Sequence, residues 1–206
     1  MWALVQDGTV TKTFNYAKGF VLNDTQYPKD IFTKWTTAEK EAIGIYEVIV
    51  DKTNYKDSKY YINTNSTIAF ANGQVTESWG TATAKRLEDE NAVDEDGNPI
   101  LEDGVQVINY GLKTEKKKIV KQQASGLLAP TDWYVVKATE VADYDIPANI
   151  LSFRADVRTK SNEMETMINN CTTVDELKAL YEYTNTGTEQ NPVIIRPLPE
   201  FPKEVI

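Results

Sequence analysis

The apolar spacing of this 206-residue chain changes period once, and that change limits what it can fold into. In the first 85 residues apolar side chains come in short β-branched or aromatic runs broken by two-residue turn signals. From Leu112 onward they recur every three or four positions. A period of two commits a segment to strands and a period near 3.6 commits it to helices. The chain therefore reads as α+β: a β-rich N-terminal domain with short helices, a helical-hairpin C-terminal module and an extended proline-rich tail. The boundaries fall at 1–110, 111–190 and 191–206.

Local chemistry fills in this outline. Trp2–Gln6 and Thr9–Phe14 flank Asp7-Gly8, a pair that accepts the positive φ angles of a tight hairpin. Asn72-Gly73 does the same before Val75 to Trp79. Ile45 to Val50 is β-rich and reads as a buried strand. Tyr60, Ile62, Ile68 and Phe70 mark two more strands. Pro28 suits a first helical turn ahead of Ile31, Phe32 and Trp35. Thr36 with Glu39, and Thr173 with Glu176, have capping-box spacing for helices over 37–43 and 174–183.

Further on, Lys residues 113, 116, 117, 118 and 121 lie in a helix expected over 112–126 and ended by Pro130. This run reads as a solvated face, or as one that meets the acidic surface of a neighbouring subunit. Asp132 can cap a short turn, or the stretch through Val136 can be a brief strand. Pro147 opens a long helix to about Cys171. The four prolines of 192–202 favour extended chain.

Between the halves, residues 86–104 hold eight carboxylates and read as a solvated acidic loop or an exposed hairpin. Setting Gly97 at the invariant glycine of a calcium loop puts Ala92, which cannot ligate, at the first ligand position. No metal site is assigned there.

Composition then removes functions. With 31 acidic residues, 22 basic ones and no His, the formal charge is −9. Imidazole-based nucleophiles, bases and zinc sites are excluded. The single Cys171 can form neither an internal disulfide nor a thiolate zinc site. Glu140, Asp143, Asp145 and Asp156 could serve acid–base chemistry only if two of them faced each other across a cleft. No catalytic residue and no cofactor is assigned. The acidic balance argues against nucleic-acid binding, no segment reaches the ~20 apolar residues of a membrane span, and the N-terminus lacks secretory-signal features. Aromatic and Arg side chains anchor protein interfaces, so Trp2, Trp79, Trp133, Arg154 and Arg158 are the candidate interface residues.

Two segments carry a resemblance. Leu127-Leu128-Ala129-Pro130-Thr131-Asp132-Trp133, then Ile146-Pro147, then Phe153-Arg154-Ala155-Asp156-Val157-Arg158, resembles the C-terminal module of tail assembly chaperone and tail fibre assembly proteins of tailed bacteriophages. Tyr27-Pro28 through Ile31-Phe32, Trp35-Thr36, Glu39 and Ile43-Gly44-Ile45-Tyr46 is similar to the start of many small phage virion proteins. The resemblance implies a virion tail protein made in the host cytoplasm. Its partners would be fibre, baseplate or tail-tube subunits, or a second copy of itself. It would be a structural subunit or, alternatively, a chaperone acting transiently on the fibre. For the shared module the expectation is that Trp133 fills the angle between two helices while Arg154 and Arg158 reach Asp132, Glu140 or a neighbour's carboxylate.

Overall fold

The structure, a computed structural model, describes residues 1–203; residues 204–206 of the expected tail lie outside them. The fold is mixed α and β. Two compact units divide at Met1–Thr83 and Ala84–Ile206. The acidic stretch belongs to the second unit, not to the β-rich first one, because its base is hydrogen-bonded to the helix that follows it.

The first unit is built on a five-stranded sheet with order β2-β1-β5-β8-β7. Its strands are β1 (Trp2–Gln6), β2 (Thr9–Phe14), β5 (Ile45–Asp51), β7 (Ser66–Ala71) and β8 (Gln74–Trp79). Pairing is antiparallel except between β5 and β8. Between β2 and β5 come a hairpin of β3 (Phe20–Leu22) and β4 (Thr25–Tyr27), then α1 (Ile31–Lys34) and α2 (Thr37–Ala42). The short strands β6 (Tyr61–Ile62) and β9 (Thr83–Ala84) complete the set up to the boundary.

Both faces of this sheet carry a core. Leu4 and Ile45 point to one side, where Phe14, Phe20, Ile31 and Phe32 bury against them. Ala3, Val48 and Val75 point to the other, under Val10, Tyr46, Ile68 and Phe70. Phe14 and Val10 are an even number of residues apart yet lie on opposite faces. The cause is a bulge: Leu4 pairs with Lys12 and Val5 with Val10, leaving Thr11 as the extra residue that reverses the alternation. Strand β5 is central, but Ile49 and Val50 stay exposed near its end, so it is buried over only part of its length.

The hairpin turns follow their sequence signals. Asp7 and Gly8 have φ 50° and 74°, and Asn72 and Gly73 have φ 52° and 76°. The Thr36 hydroxyl accepts from the Glu39 N–H at 3.3 Å while the Glu39 carboxylate accepts from the Thr36 N–H at 2.8 Å, closing the capping box. Helix α2 then stops before Gly44, whose φ of 80° and close approach to the Val5 carbonyl leave no room for a side chain.

The second unit begins with an arm of short strands: β10 (Glu90–Asn91), β11 (Leu101–Glu102), β12 (Val105–Gln106) and β13 (Ile108–Asn109). Strand β10 pairs with β13, and β11 with β12 through an Asp103-Gly104 turn. The Gln106 side-chain amide stitches the arm by donating to the carbonyls of Ala92, Ile100 and Val107.

Helix α3 (Leu112–Leu128) follows and runs through a 3-10 turn at Ala129–Thr131 into α4 (Asp132–Glu140). Pro130 therefore sits inside a turn that continues the chain as helix; it does not set off a loop, and the strand alternative for 134–136 is excluded. Helix α5 (Ala148–Asn170) starts after Pro147 as the spacing requires, and packs on α3 through Phe153 and Val157 against Ala124. Helix α6 (Val174–Ala179) has the expected capping box but ends four residues early.

The proline-rich segment is held at defined points. Ile194–Ile195 (β15) pairs with Thr184–Asn185 (β14), the Leu198 N–H donates to the Leu180 carbonyl at 3.0 Å, and Phe201 packs beside the α3–α5 core. No helix among the described residues is long and apolar enough to cross a membrane.

Candidate protein-interaction surface

Helix α4 is anchored at one end and uncovered along its length. It follows α3 through a buried Thr131, whose hydroxyl donates to the Leu128 carbonyl at 2.7 Å. From α5 the buried Arg154 reaches the same place. Its guanidinium donates to the Leu128 carbonyl at 3.1 Å, to the Thr131 hydroxyl, and to the Asp132 carboxylate at 2.8 Å. One guanidinium nitrogen, Nη1, thus gathers acceptors from the end of α3, the connecting turn and the start of α4, and ties the three together.

Beyond this knot, no residue of α4 is buried. Trp133 and Val136 are 50% and 51% exposed, and Val135 is exposed beside them. Trp133, Val136, Lys137 and Glu140 lie three and four positions apart on one face. The Trp133 and Tyr134 rings meet at 3.9 Å, and the Lys137 ammonium sits 5.6 Å from Trp133 and 4.2 Å from Tyr144. The face thus joins apolar Trp133 and Val136 to charged Lys137 and Glu140, with the Lys137 ammonium near two aromatic rings. Val141, the residue that follows α4, is exposed as well.

The candidate interface residues separate into three groups. Trp133 and Arg158 are exposed; among the described residues Arg158 donates to the Arg154 carbonyl, at 3.3 Å, and reaches neither Asp132 nor Glu140. Trp133 does not fill a helix–helix angle; Thr131 and Arg154 take that space. Trp2 belongs to the core of the first unit, 4.8 Å from Phe32, with its indole N–H out of reach of solvent. Trp79 is half-buried against Tyr55 at 5.2 Å, while its carbonyl accepts from the Asn54 amide at 3.0 Å. Sequence reasoning named Trp133 but not Val136, because it read this stretch as a capped turn or a brief strand and so could not place the two side chains on one helix face.

Other groups are committed to structure. The Asp94 carboxylate accepts from the N–H groups of Asn98 and Asp96, which keeps it below the usual range and ties up its own loop. No cluster of three metal-ligating side chains occurs among the described residues. The Cys171 thiol donates to the Met167 carbonyl at 3.4 Å, and burial, reinforced by the Glu176 charge, pushes its pKa up. The lysine run is not a simple solvated face. Lys113 is buried against Glu88, Lys116 lies 4.8 Å from the Tyr181 ring, Lys117 donates to Asn169 at 2.8 Å, and Lys121 pairs with Glu165 at 3.3 Å.

Compared with known proteins, the chain matches no protein-family model, no curated protein and no solved structure.

Proposed function

We propose that this chain is a structural subunit of a bacteriophage tail, at a fibre or baseplate attachment, and that it acts by binding other proteins rather than by catalysis. The observation that carries the binding role is helix α4: nine ordered residues with no core of their own, displaying Trp133, Val136 and Val135. A half-exposed Trp beside an exposed Val on a helix with no buried residue has the composition of an interface anchor, and such a side chain gains energy by being covered. The tail setting is supported by the resemblance of residues 127–158 and 27–46 to phage tail and virion proteins.

Mass spectrometry of purified particles tests the reading. A tail subunit is found there at fixed stoichiometry, whereas its absence from mature particles rejects a structural role. Co-expression with the fibre separates the alternative: a chaperone raises the yield of folded fibre and then leaves, while an adaptor does not change that yield.

A further inference from the structure

The net charge of the chain is concentrated in one place. Residues 88–104 contribute eight carboxylates with no Lys or Arg between 87 and 112, so removing them from the net −9 leaves −1 for everything else. The next nine residues, 113–121, hold five Lys and one Glu. These two stretches form the arm and the first turns of α3.

Their bases are already joined within one chain. Glu88 pairs with Lys113, and Asp89 accepts from the Gly111 N–H at 2.7 Å and the Thr114 hydroxyl at 2.9 Å. The distal carboxylates Glu95, Asp96, Glu102 and Asp103 have no ion-pair partner among the described residues, and Leu101 and Val105 beside them are exposed. Along α3 a groove of about 720 Å³ is lined by Lys117, Lys118 and Lys121, by one carboxylate, Glu115, and by the exposed ring of Tyr110; Lys117 also donates to the neutral Asn169 and Lys121 also pairs with Glu165. Lys118 has no ion pair among the described residues.

We propose that the acidic arm of one copy seats in this lysine-lined groove of a second copy. The arm brings carboxylates and two aliphatic side chains; the groove brings ammonium groups and an aromatic wall. Complementary charge of this kind sets register and partner choice. A second copy is favoured over a nucleic acid because the groove offers one Tyr and no interleaved aromatics for base stacking. It is favoured over a free anion because the arm supplies an apolar surface that Tyr110 can cover. The inference is independent of the tail assignment, since it concerns the purified chain alone.

Sedimentation velocity of the full chain tests it. At about 100 μM protein and about 20 mM salt the chain is expected to sediment above its 23.2 kDa monomer mass, and to return to monomer at about 0.5 M salt, where screening shortens the reach of charge. The arm variant Glu95→Lys/Asp96→Lys/Glu102→Lys and the groove variant Lys117→Glu/Lys118→Glu, each checked for native circular dichroism, should both be monomeric. An equimolar mixture of the two should associate again. A wild-type monomer under all these conditions overturns the proposal. So does association that survives either set of changes, which would point to α4, and so does a folded pair of variants that fails to recombine.

Discussion

Arg154 is the residue on which the second unit turns. It is buried, it is charged, and its partners Leu128, Thr131 and Asp132 lie where three helical segments meet. Removing it leaves the Leu128 carbonyl and the Thr131 hydroxyl without that donor, while Asp132, more than half exposed, recovers water. Arg154→Ala is therefore expected to cost about 2–3 kcal/mol in urea unfolding, and Arg154→Lys to restore part of it, because the ammonium keeps the charge on a shorter side chain that reaches less far than Nη1. An unchanged midpoint for Arg154→Ala would show that the knot contributes nothing. In the first unit, Gly44→Ala places a Cβ 2.5 Å from the Val5 carbonyl at a φ of 80°. A loss of more than about 1 kcal/mol is expected from the backbone strain alone, with the clash adding to it. Cys171 gives a third check at this scale. Its buried, raised thiol should react with iodoacetamide at neutral pH only slowly, and at the free-thiol rate once the protein is unfolded.

Among the elements, those with strong local chemistry were legible in advance. The first hairpin, both capping boxes, the Asn72-Gly73 turn and the start of α5 at Pro147 fall where side-chain oxygens, positive φ or a missing N–H demand them. Thr36→Ala and Thr173→Ala should each lower stability by about 1 kcal/mol, read as a shift in the denaturation midpoint at constant slope. What escaped the sequence either lacked a plain local signal or was set by distant contacts. The β3–β4 hairpin turns on Asn23-Asp24, a pair with φ of 48° and 61° but no Gly to announce it. The bulge at Thr11 is visible only once β1 is beside β2. Helix α4 shows the limit most clearly: its residues left a capped turn and a brief strand both open, and only the structure shows a helix with no buried residue. Trp133→Ala should accordingly leave the unfolding midpoint nearly unchanged while abolishing binding of any partner that docks on α4 as proposed. A large loss of stability in that variant would instead make the helix a core element.

For the molecule as a whole, protonation is an acid-side affair. Asp30 is held below its ordinary value by the Lys34 ammonium and Asp51 by the Thr53 hydroxyl. Backbone N–H groups of Thr36, Gly111, Asn98 and Thr172 do the same for Glu39, Asp89, Asp94 and Glu176. A carboxylate with a depressed folded value contributes stability that is complete above its unfolded value, 3.8 for Asp and 4.5 for Glu, and disappears as pH falls through the folded one. With no His in the chain, the thermal midpoint should be flat from about pH 5.5 to 8 and drop below about pH 4. A transition near pH 6 would contradict this.

The four Trp are divided unevenly. Trp2, Trp35 and Trp79 lie before the unit boundary, and Trp133 alone lies after it, half in solvent. With the first three replaced by Phe, the fluorescence of the remaining indole becomes a built-in optical gauge of α4. It should emit at long wavelength and be quenched by iodide when the helix is bare, and shift to the blue as soon as anything dry closes over it.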